Sequence, residues 1–179
     1  MTQQARMVLA DCEESLLELI NSTQGTMRRR WVATVGLLRA VGHVLKNVDG
    51  KKSVPLLDVI KEKFSELKGT EPDPVIFWGF IENERNNVLK EYLFAVRGNH
   101  TIEIPGYDPL RPPSPVLPPG RSIGVGADPP DPRFRISPLE HGPFAGQDPV
   151  QVVRQAIQFW RAYLDEIDRL TEERERGKQ

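Results

Sequence analysis

The sequence predicts an all-α fold, a four- to five-helix bundle with a long Pro/Gly-rich irregular insertion before the last helix. Two observations support this fold. Apolar residues recur at spacings of three and four in several stretches, as on the buried face of a helix in a bundle. By contrast, residues 98–147 hold twelve of the sixteen prolines and seven of the fourteen glycines, and prolines at this density exclude helices and interior strands.

Length and composition limit the classes of protein. With 179 residues, the chain is expected to form a single helical domain over 1–179, with residues 98–147 as an arm or wrapping loop within it. A net charge of -1 and a pI near 6.3 give no global attraction for nucleic acid or an anionic membrane. The single cysteine, the acidic N-terminal stretch and the lack of a long apolar run predict a cytoplasmic protein.

Residues 2–21 predict the first amphipathic helix. Acidic side chains occupy one face, and the other face is apolar with residues spaced four, three, four and three positions apart: Ala5, Leu9, Cys12, Leu16 and Leu19. Because Cys12 lies on this apolar stripe, we expect it to be a small buried residue rather than a reactive thiol.

A second helix is predicted over 27–48, after a turn in which Ser22 or Thr23 provides the cap. Three consecutive arginines, residues 28–30, lie in its first turn, where the helix dipole disfavours cations. We expect them to neutralise acids of the first helix, or alternatively to form a phosphate-binding patch. The broad apolar side of this helix contains Trp31, Val35, Leu38, Val41 and Leu45.

Proline and cap signals place the next two helices. Pro55 fits the first turn of a third helix ending near Lys68, whose inner face holds Leu56, Ile60, Phe64 and Leu67. Asp73 and Pro74 then provide the cap and first residue of a fourth helix over 74–96.

The last helix begins at Asp148 and Pro149 and is predicted to run to about Glu175. Its apolar residues form a heptad seam, which packs against another helix: Val150, Val153, Ile157, Trp160, Leu164 and Ile167.

The fourth helix carries one charged residue in an apolar stripe. On a helical wheel Arg85 lies at the centre of that stripe, and Glu82 on its flank is the nearest acidic partner in sequence. Arg85 therefore either pairs with Glu82 or extends its head to water, or it serves a function in a cleft between helices. The stripe contains Trp78, Ile81, Val88, Leu89, Tyr92 and Val96.

Glu84, Arg85 and Asn86, on a late helix after two long N-terminal helices, resemble the Arg-Asn start of the motif in HEPN-like helical domains. The resemblance implies an often dimeric bacterial protein of a toxin–antitoxin or defence system, and many such proteins bind or cleave RNA. In nuclease members a histidine follows on the same helix face and acts with the arginine on one phosphodiester. In those members four to six residues separate the arginine from the histidine. At the corresponding positions of this chain, 90–92, the residues are Lys, Glu and Tyr, and none is a histidine.

The binding candidates are few, and no catalytic residue is assigned. Arg39 and His43, four positions apart on one helix edge, form either a structural pair or part of a site. The glycines of 120–126 lack a following helix, and His100 and His141 lack metal-ligand spacing, so we expect no cofactor and no metal. The candidates for binding are Arg85, Asn86, Glu82, Tyr92, Arg39 and His43.

These observations favour a non-enzymatic helical interaction protein that forms a homodimer. The contact would use the 98–147 arm or the seam of the last helix, and residues 112–115 form either a rigid polyproline connector or a recognition ligand. The alternative is a HEPN-like RNA-binding protein or ribonuclease that uses Arg85 and Asn86, with help from Arg39 and His43.

A small-molecule site in the bundle is the third possibility. It requires the tryptophans to line a cavity rather than fill the core: Trp31, Trp78 and Trp160.

Overall fold

A computed structural model describes residues 1–100 and 134–177. It confirms an all-α bundle. The helices are α1 (Gln3–Ile20), α2 (Gln24–Asn47), α3 (Val54–Gly69), α4 (76–91) and α5 (Pro149–Arg176), and a 3₁₀ turn (Asp49–Lys51) joins α2 to α3. The α4 helix has three parts, π-helical Ile76–Glu82, α-helical Asn83–Asn86 and π-helical Asn87–Glu91.

Short polar side chains begin several helices, as the sequence predicts. Thr23 precedes α2, where the Thr26 hydroxyl accepts the Thr23 N–H at 2.9 Å. Ser53 and Asp148 accept backbone N–H groups in the first turns of α3 and α5. These bonds satisfy donors that have no partner within the helix.

The first turn of α1 receives its cap from a distant part of the chain. Asp49, fully buried in the turn between α2 and α3, accepts the N–H groups of Gln4 at 3.2 Å and Ala5 at 2.8 Å. Lys52 pairs with the same carboxylate at 2.5 Å. The negative charge at a helix N-terminus also complements the helix dipole, so this turn fixes the start of α1.

The predicted stripes of α1, α2 and α5 meet in one core. Every stripe residue of α1 and α2 is buried, and so is the α5 seam from Val153 to Ile167, while Val150 is partly buried. The seam packs against α1, α3 and α4 of the same chain. The seam is therefore covered within the chain, and a contact with a second protein would have to use another surface.

The fourth helix differs from the prediction in both length and face. It ends at Glu91, because Tyr92 adopts a left-handed conformation with φ of 54°. Since π-helical turns bond residue i to i+5, the buried face shifts around the helix. Leu89 and Tyr92 are exposed, and Glu84 rather than Arg85 lies on the buried face, together with Phe77, Phe80, Ile81 and Val88.

Two short strands flank the greater part of the proline-rich segment. The strands β1 (Gly98–His100) and β2 (Phe134–Ile136) pair antiparallel, with Gly98 opposite Ile136. The predictions for 101–133, including the polyproline and glycine-rich stretches, lie outside the described residues. After β2 the chain returns to the bundle, where Leu139 is buried and Glu140 donates its N–H to the Ala95 carbonyl at 2.9 Å.

Candidate functional site

Three of the predicted binding residues lie near the junction of α2 and α4. Arg39 Nη2 on α2 lies 2.9 Å from Glu82 Oε1 on α4, and both side chains are partly buried. His43 is exposed one turn further along α2. Arg39 therefore forms an ion pair with Glu82 on another helix, and His43 is its neighbour along α2.

Arg85 and Asn86 lie elsewhere on α4. Arg85 Nη1 donates to Asn86 Oδ1 at 2.7 Å, and both residues are half-buried. The predicted pairing of Arg85 with Glu82 is wrong, since Glu82 pairs with Arg39. No carboxylate within 4.0 Å of the Arg85 guanidinium is found in the described part of the chain. Local spacing favoured the neighbour three residues away, but Glu82 faces another helix.

A cavity of about 450 Å³ opens where α2, α3, α4 and α5 meet. Its wall is mainly apolar and includes four aromatic side chains, and its lining among the described residues contains no carboxylate. Burial, and then the charge of Glu66, raise the pKa of the Tyr163 hydroxyl in this wall, so that hydroxyl stays protonated. The basic lining residues are Arg39, His43, Lys46 and Lys61, and the aromatic ones are Phe64, Phe77, Trp160 and Tyr163.

The three tryptophans have different roles. Trp31 is fully buried and donates its Nε1–H to Glu84 Oε1 at 2.9 Å, so it fills the core. Trp78 is partly buried and packs edge-on against Phe77. Trp160 is only 2% exposed but lines the cavity. Of the three tryptophans, Trp160 thus lines the wall of a cavity, as the hypothesis of a small-molecule site requires.

Glu84 is a buried carboxylate that the sequence reasoning missed. Its Oε1 accepts the Trp31 indole N–H and also the Ala95 backbone N–H, at 2.9 and 3.2 Å. These bonds join α4 to α2 and to the chain beyond α4. Nothing in the local sequence distinguishes Glu84, because both donors are distant and the π-helical turns decide which residue faces them.

The end of α4 and the chain just after it expose a group of apolar side chains, which we call the Tyr92 surface. It consists of Leu89, Tyr92 and Leu93, which are 54%, 66% and 54% exposed. A left-handed conformation is unusual for a residue as bulky as Tyr92. The Tyr92 ring packs edge-on against Phe94 with centroids 4.9 Å apart, and the Arg28 guanidinium lies 5.2 Å from the Phe94 ring centroid.

A groove beside the Tyr92 surface carries arginines. Arg28, Arg29 and Arg97 line it, and Arg97 pairs with Glu140 at 2.8 Å. Arg30, in contrast, donates to two carbonyls at the end of α1, those of Glu18 and Asn21, at 2.6 and 2.8 Å. For Arg30 the predicted neutralisation of acidic side chains is wrong, because it satisfies main-chain carbonyls of α1 instead.

Cys12 is fully buried, as its place on the apolar stripe predicts. Burial, followed by the charges of Asp11 and Glu13, raises the pKa of its thiol to about 12. The thiol is therefore protonated at neutral pH, and a thiolate nucleophile is disfavoured.

Over residues 1–100 and 134–177, no helix has both the length and the hydrophobicity of a membrane span. The same residues hold no cluster of three or more His, Cys, Asp or Glu side chains arranged to bind a metal ion. Comparison of the chain with protein-family models, curated proteins and solved structures found no match.

Proposed function

We propose that this chain is a non-enzymatic helical interaction protein that forms a homodimer through the Tyr92 surface. The observation that carries the proposal is the exposure of three large apolar side chains, Leu89, Tyr92 and Leu93, in one short stretch. Grouped exposed apolar residues are typical of interaction sites. Tyrosine in particular is enriched among the residues that dominate binding energy at protein interfaces.

The backbone at Tyr92 supports this proposal. A left-handed conformation costs about 1–2 kcal/mol for a residue with a side chain, and such strain concentrates at functional sites. Glu84 accepts the Ala95 N–H at 3.2 Å, which fixes the chain three residues beyond Tyr92. The rigid presentation of an exposed aromatic side chain lowers the entropy lost on binding.

The charges next to the surface fit a second copy of the chain. Lys90 and Glu91 are adjacent and exposed, beside Leu89 and Tyr92. A two-fold contact is self-complementary, so that residue i of one copy meets residue j of the other and the reverse. Lys90 of each protomer would then face Glu91 of its partner around an apolar centre.

Sedimentation equilibrium over micromolar concentrations tests the dimer. We expect the unmodified chain to dimerise and Leu93→Glu to be monomeric, because the substitution places a charge in the apolar centre. Leu17→Glu is the matched control, since Leu17 is 61% exposed on α1, and it should still dimerise. A monomeric unmodified chain at high micromolar concentration, or equal effects of the two substitutions, would overturn the proposal.

A charge exchange tests the two-fold geometry separately. Lys90→Glu places acidic residues opposite each other and should weaken the dimer, whereas Lys90→Glu combined with Glu91→Lys should restore it. If the double variant is as weak as the single one, the pairing of these residues across a two-fold axis is wrong.

Single-stranded RNA is the second candidate for the same region. Arg28 over Phe94, the exposed Tyr92 ring and Arg29 in the groove combine cations with aromatic stacking surfaces, as in single-strand binding proteins. Fluorescence anisotropy with a labelled oligouridine tests this function. Binding that weakens with salt and with Arg29→Met, and that persists in the Leu93→Glu monomer, would favour RNA over a protein partner.

The resemblance to HEPN-like domains predicts a different RNA contact, through Arg85 and Asn86. In the same anisotropy assay, Arg85→Ala should then reduce binding more than Arg29→Met does. If Arg85→Ala binds like the unmodified chain, the contribution of this motif to RNA binding is refuted.

A further inference from the structure

The cavity between α2, α3, α4 and α5 is large for a mainly apolar space within a helical bundle. Its volume is about 450 Å³, whereas voids larger than a water molecule are few in a close-packed core. An apolar cavity of about 150 Å³ lined by leucine, isoleucine and phenylalanine is already enough to bind benzene. The volume at the junction of the four helices therefore suffices for a small organic molecule.

The inner wall of this cavity offers almost no polar group to a ligand. Leu45, Ile60 and Phe77 line it and are at most 3% exposed. The partly exposed rings of Phe64 and Tyr163 extend the wall outward. Apart from the Tyr163 hydroxyl, these side chains are apolar. Because such a wall stabilises a ligand mainly by removing apolar surface from water, the enclosed part of the ligand must itself be apolar.

The mouth of the cavity is basic. His43 and Lys46 on α2 and Lys61 on α3 line the cavity and are exposed, so they lie at its opening. Over the described residues neither lysine has a carboxylate within 4.0 Å, whereas Lys52 and Lys63 each pair with one. Since the described lining also contains no carboxylate, the charge at the mouth is positive and attracts an anion.

We propose that this cavity binds a single-chain amphiphile with an anionic head group, of the chemical class of the medium-chain fatty acids. The alkyl chain packs against the apolar wall. The carboxylate lies at the mouth with Lys46 and Lys61, where His43 adds an imidazole N–H donor. A short anion would leave the wall uncovered, and an alkane would leave both lysines without a counter-charge. This site is separate from the Tyr92 surface and does not depend on the proposed dimer.

Isothermal titration calorimetry of the full chain with butanoate, hexanoate and octanoate tests the contact with the apolar wall. The three probes have the same head group and differ only in the length of the alkyl chain. We expect the affinity to rise by about fourfold for each added CH₂ group, because each one removes further apolar surface from water. No saturable binding of octanoate, or an affinity that does not rise with chain length, would overturn the proposal.

Octylamine tests the basic mouth, because it has the same chain length as octanoate but a positive head group. We expect octanoate to bind roughly tenfold more tightly than octylamine, since two exposed lysines attract one head group and repel the other. Concentrated salt should reduce this ratio by screening the exposed charges. Equal affinities for the two probes at low salt would refute the position of the head group.

A variant of the mouth connects this preference to the two lysines. Lys46→Gln combined with Lys61→Gln removes both charges and should weaken octanoate binding by about fivefold, while octylamine binding becomes tighter. Lys51→Gln is the control, since Lys51 is exposed and lies outside the lining of the cavity, and it should change neither affinity. Equal effects of the double variant and the control, with folding verified by circular dichroism, would contradict the assignment of the lysines.

Nuclear Overhauser effects between octanoate and the isotope-labelled chain locate the alkyl chain without any variant. The terminal methyl group of octanoate should give cross-peaks to the ring protons of Phe64 and Tyr163, which line the cavity. Tyr92 and Phe94, whose rings pack against each other elsewhere, should give none. Cross-peaks to Tyr92 and Phe94 alone would place octanoate on the Tyr92 surface and overturn the proposal.

Discussion

Replacing Glu84 by alanine should destabilise the protein more than any exposed substitution on α4. The carboxylate is in a residue only 4% exposed, and it accepts N–H groups from Trp31 and Ala95. Its removal leaves two buried donors without an acceptor. Each unsatisfied donor costs about 1–3 kcal/mol, so we expect the free energy of unfolding to fall by about 2–6 kcal/mol in urea denaturation followed by circular dichroism.

Two further variants make this prediction specific. Glu84→Gln keeps an acceptor oxygen at the same place and should cost about 1 kcal/mol. Trp31→Phe removes the indole donor, so the combination of Trp31→Phe with Glu84→Ala should cost less than the sum of the single changes. If Glu84→Ala lies within about 0.5 kcal/mol of the unmodified chain, or if Glu84→Gln is equally destabilising, the account of this carboxylate is wrong.

Three other predictions concern stability. The Asp168 carboxylate accepts hydrogen bonds from Thr2 and Arg6. Burial alone would raise the pKa of this carboxyl, but these hydrogen bonds lower it overall. Because Asp168→Asn removes the charge that these bonds stabilise, it should lower the free energy of unfolding at pH 7 by about 1–3 kcal/mol. The pKa of Asp168 is lower in the folded protein than in the unfolded chain. Its stabilising effect is therefore complete above the ordinary pKa of about 3.9 and is lost as the pH falls further. Denaturation curves of the unmodified protein and of Asp168→Asn should thus converge in acid. Asp49→Ala removes the cap of α1 and should cost about 1–2 kcal/mol, with reduced amide protection in the first turn. Gly42→Ala should lower the melting temperature because its Cβ meets Trp160 at 2.7 Å, whereas Gly36→Ala on the same helix has nothing within 4 Å and should raise it.

The helices that the sequence predicts correctly are those with local signals. Leu9 and Leu38 lie on stripes of regular spacing, and both are buried as that spacing predicts. Asp148 begins α5 through a hydrogen bond to the N–H two residues later, at 2.9 Å, so its neighbours in sequence suffice to predict it. Periodicity and caps act over one or two turns, which is why they can be read without the fold.

The contacts that sequence reasoning could not predict are those between distant residues. Asp49 caps a helix 44 residues earlier in the chain. Glu82 pairs with Arg39 on another helix rather than with its neighbour Arg85. The predicted face of α4 was right for Ile81 and Val88 but wrong for Leu89 and Tyr92, because π-helical turns break the α-helical period on which the helical wheel depends. Of the six candidates, Arg39 and His43 line the cavity, and Trp160, which also lines it, was expected only as a possible wall of such a cavity.

The most direct test of the proposed dimer is hydrogen exchange of the Tyr92 surface at two protein concentrations. Peptides covering 88–96 should exchange more slowly at high than at low micromolar concentration, since a two-fold contact would cover Tyr92 and Leu93. Peptides from α1, which contains the exposed Leu17, should exchange at the same rate in both samples. Protection of 88–96 that does not change with concentration, in a range where sedimentation detects a dimer, would place the interface elsewhere and contradict the proposed function.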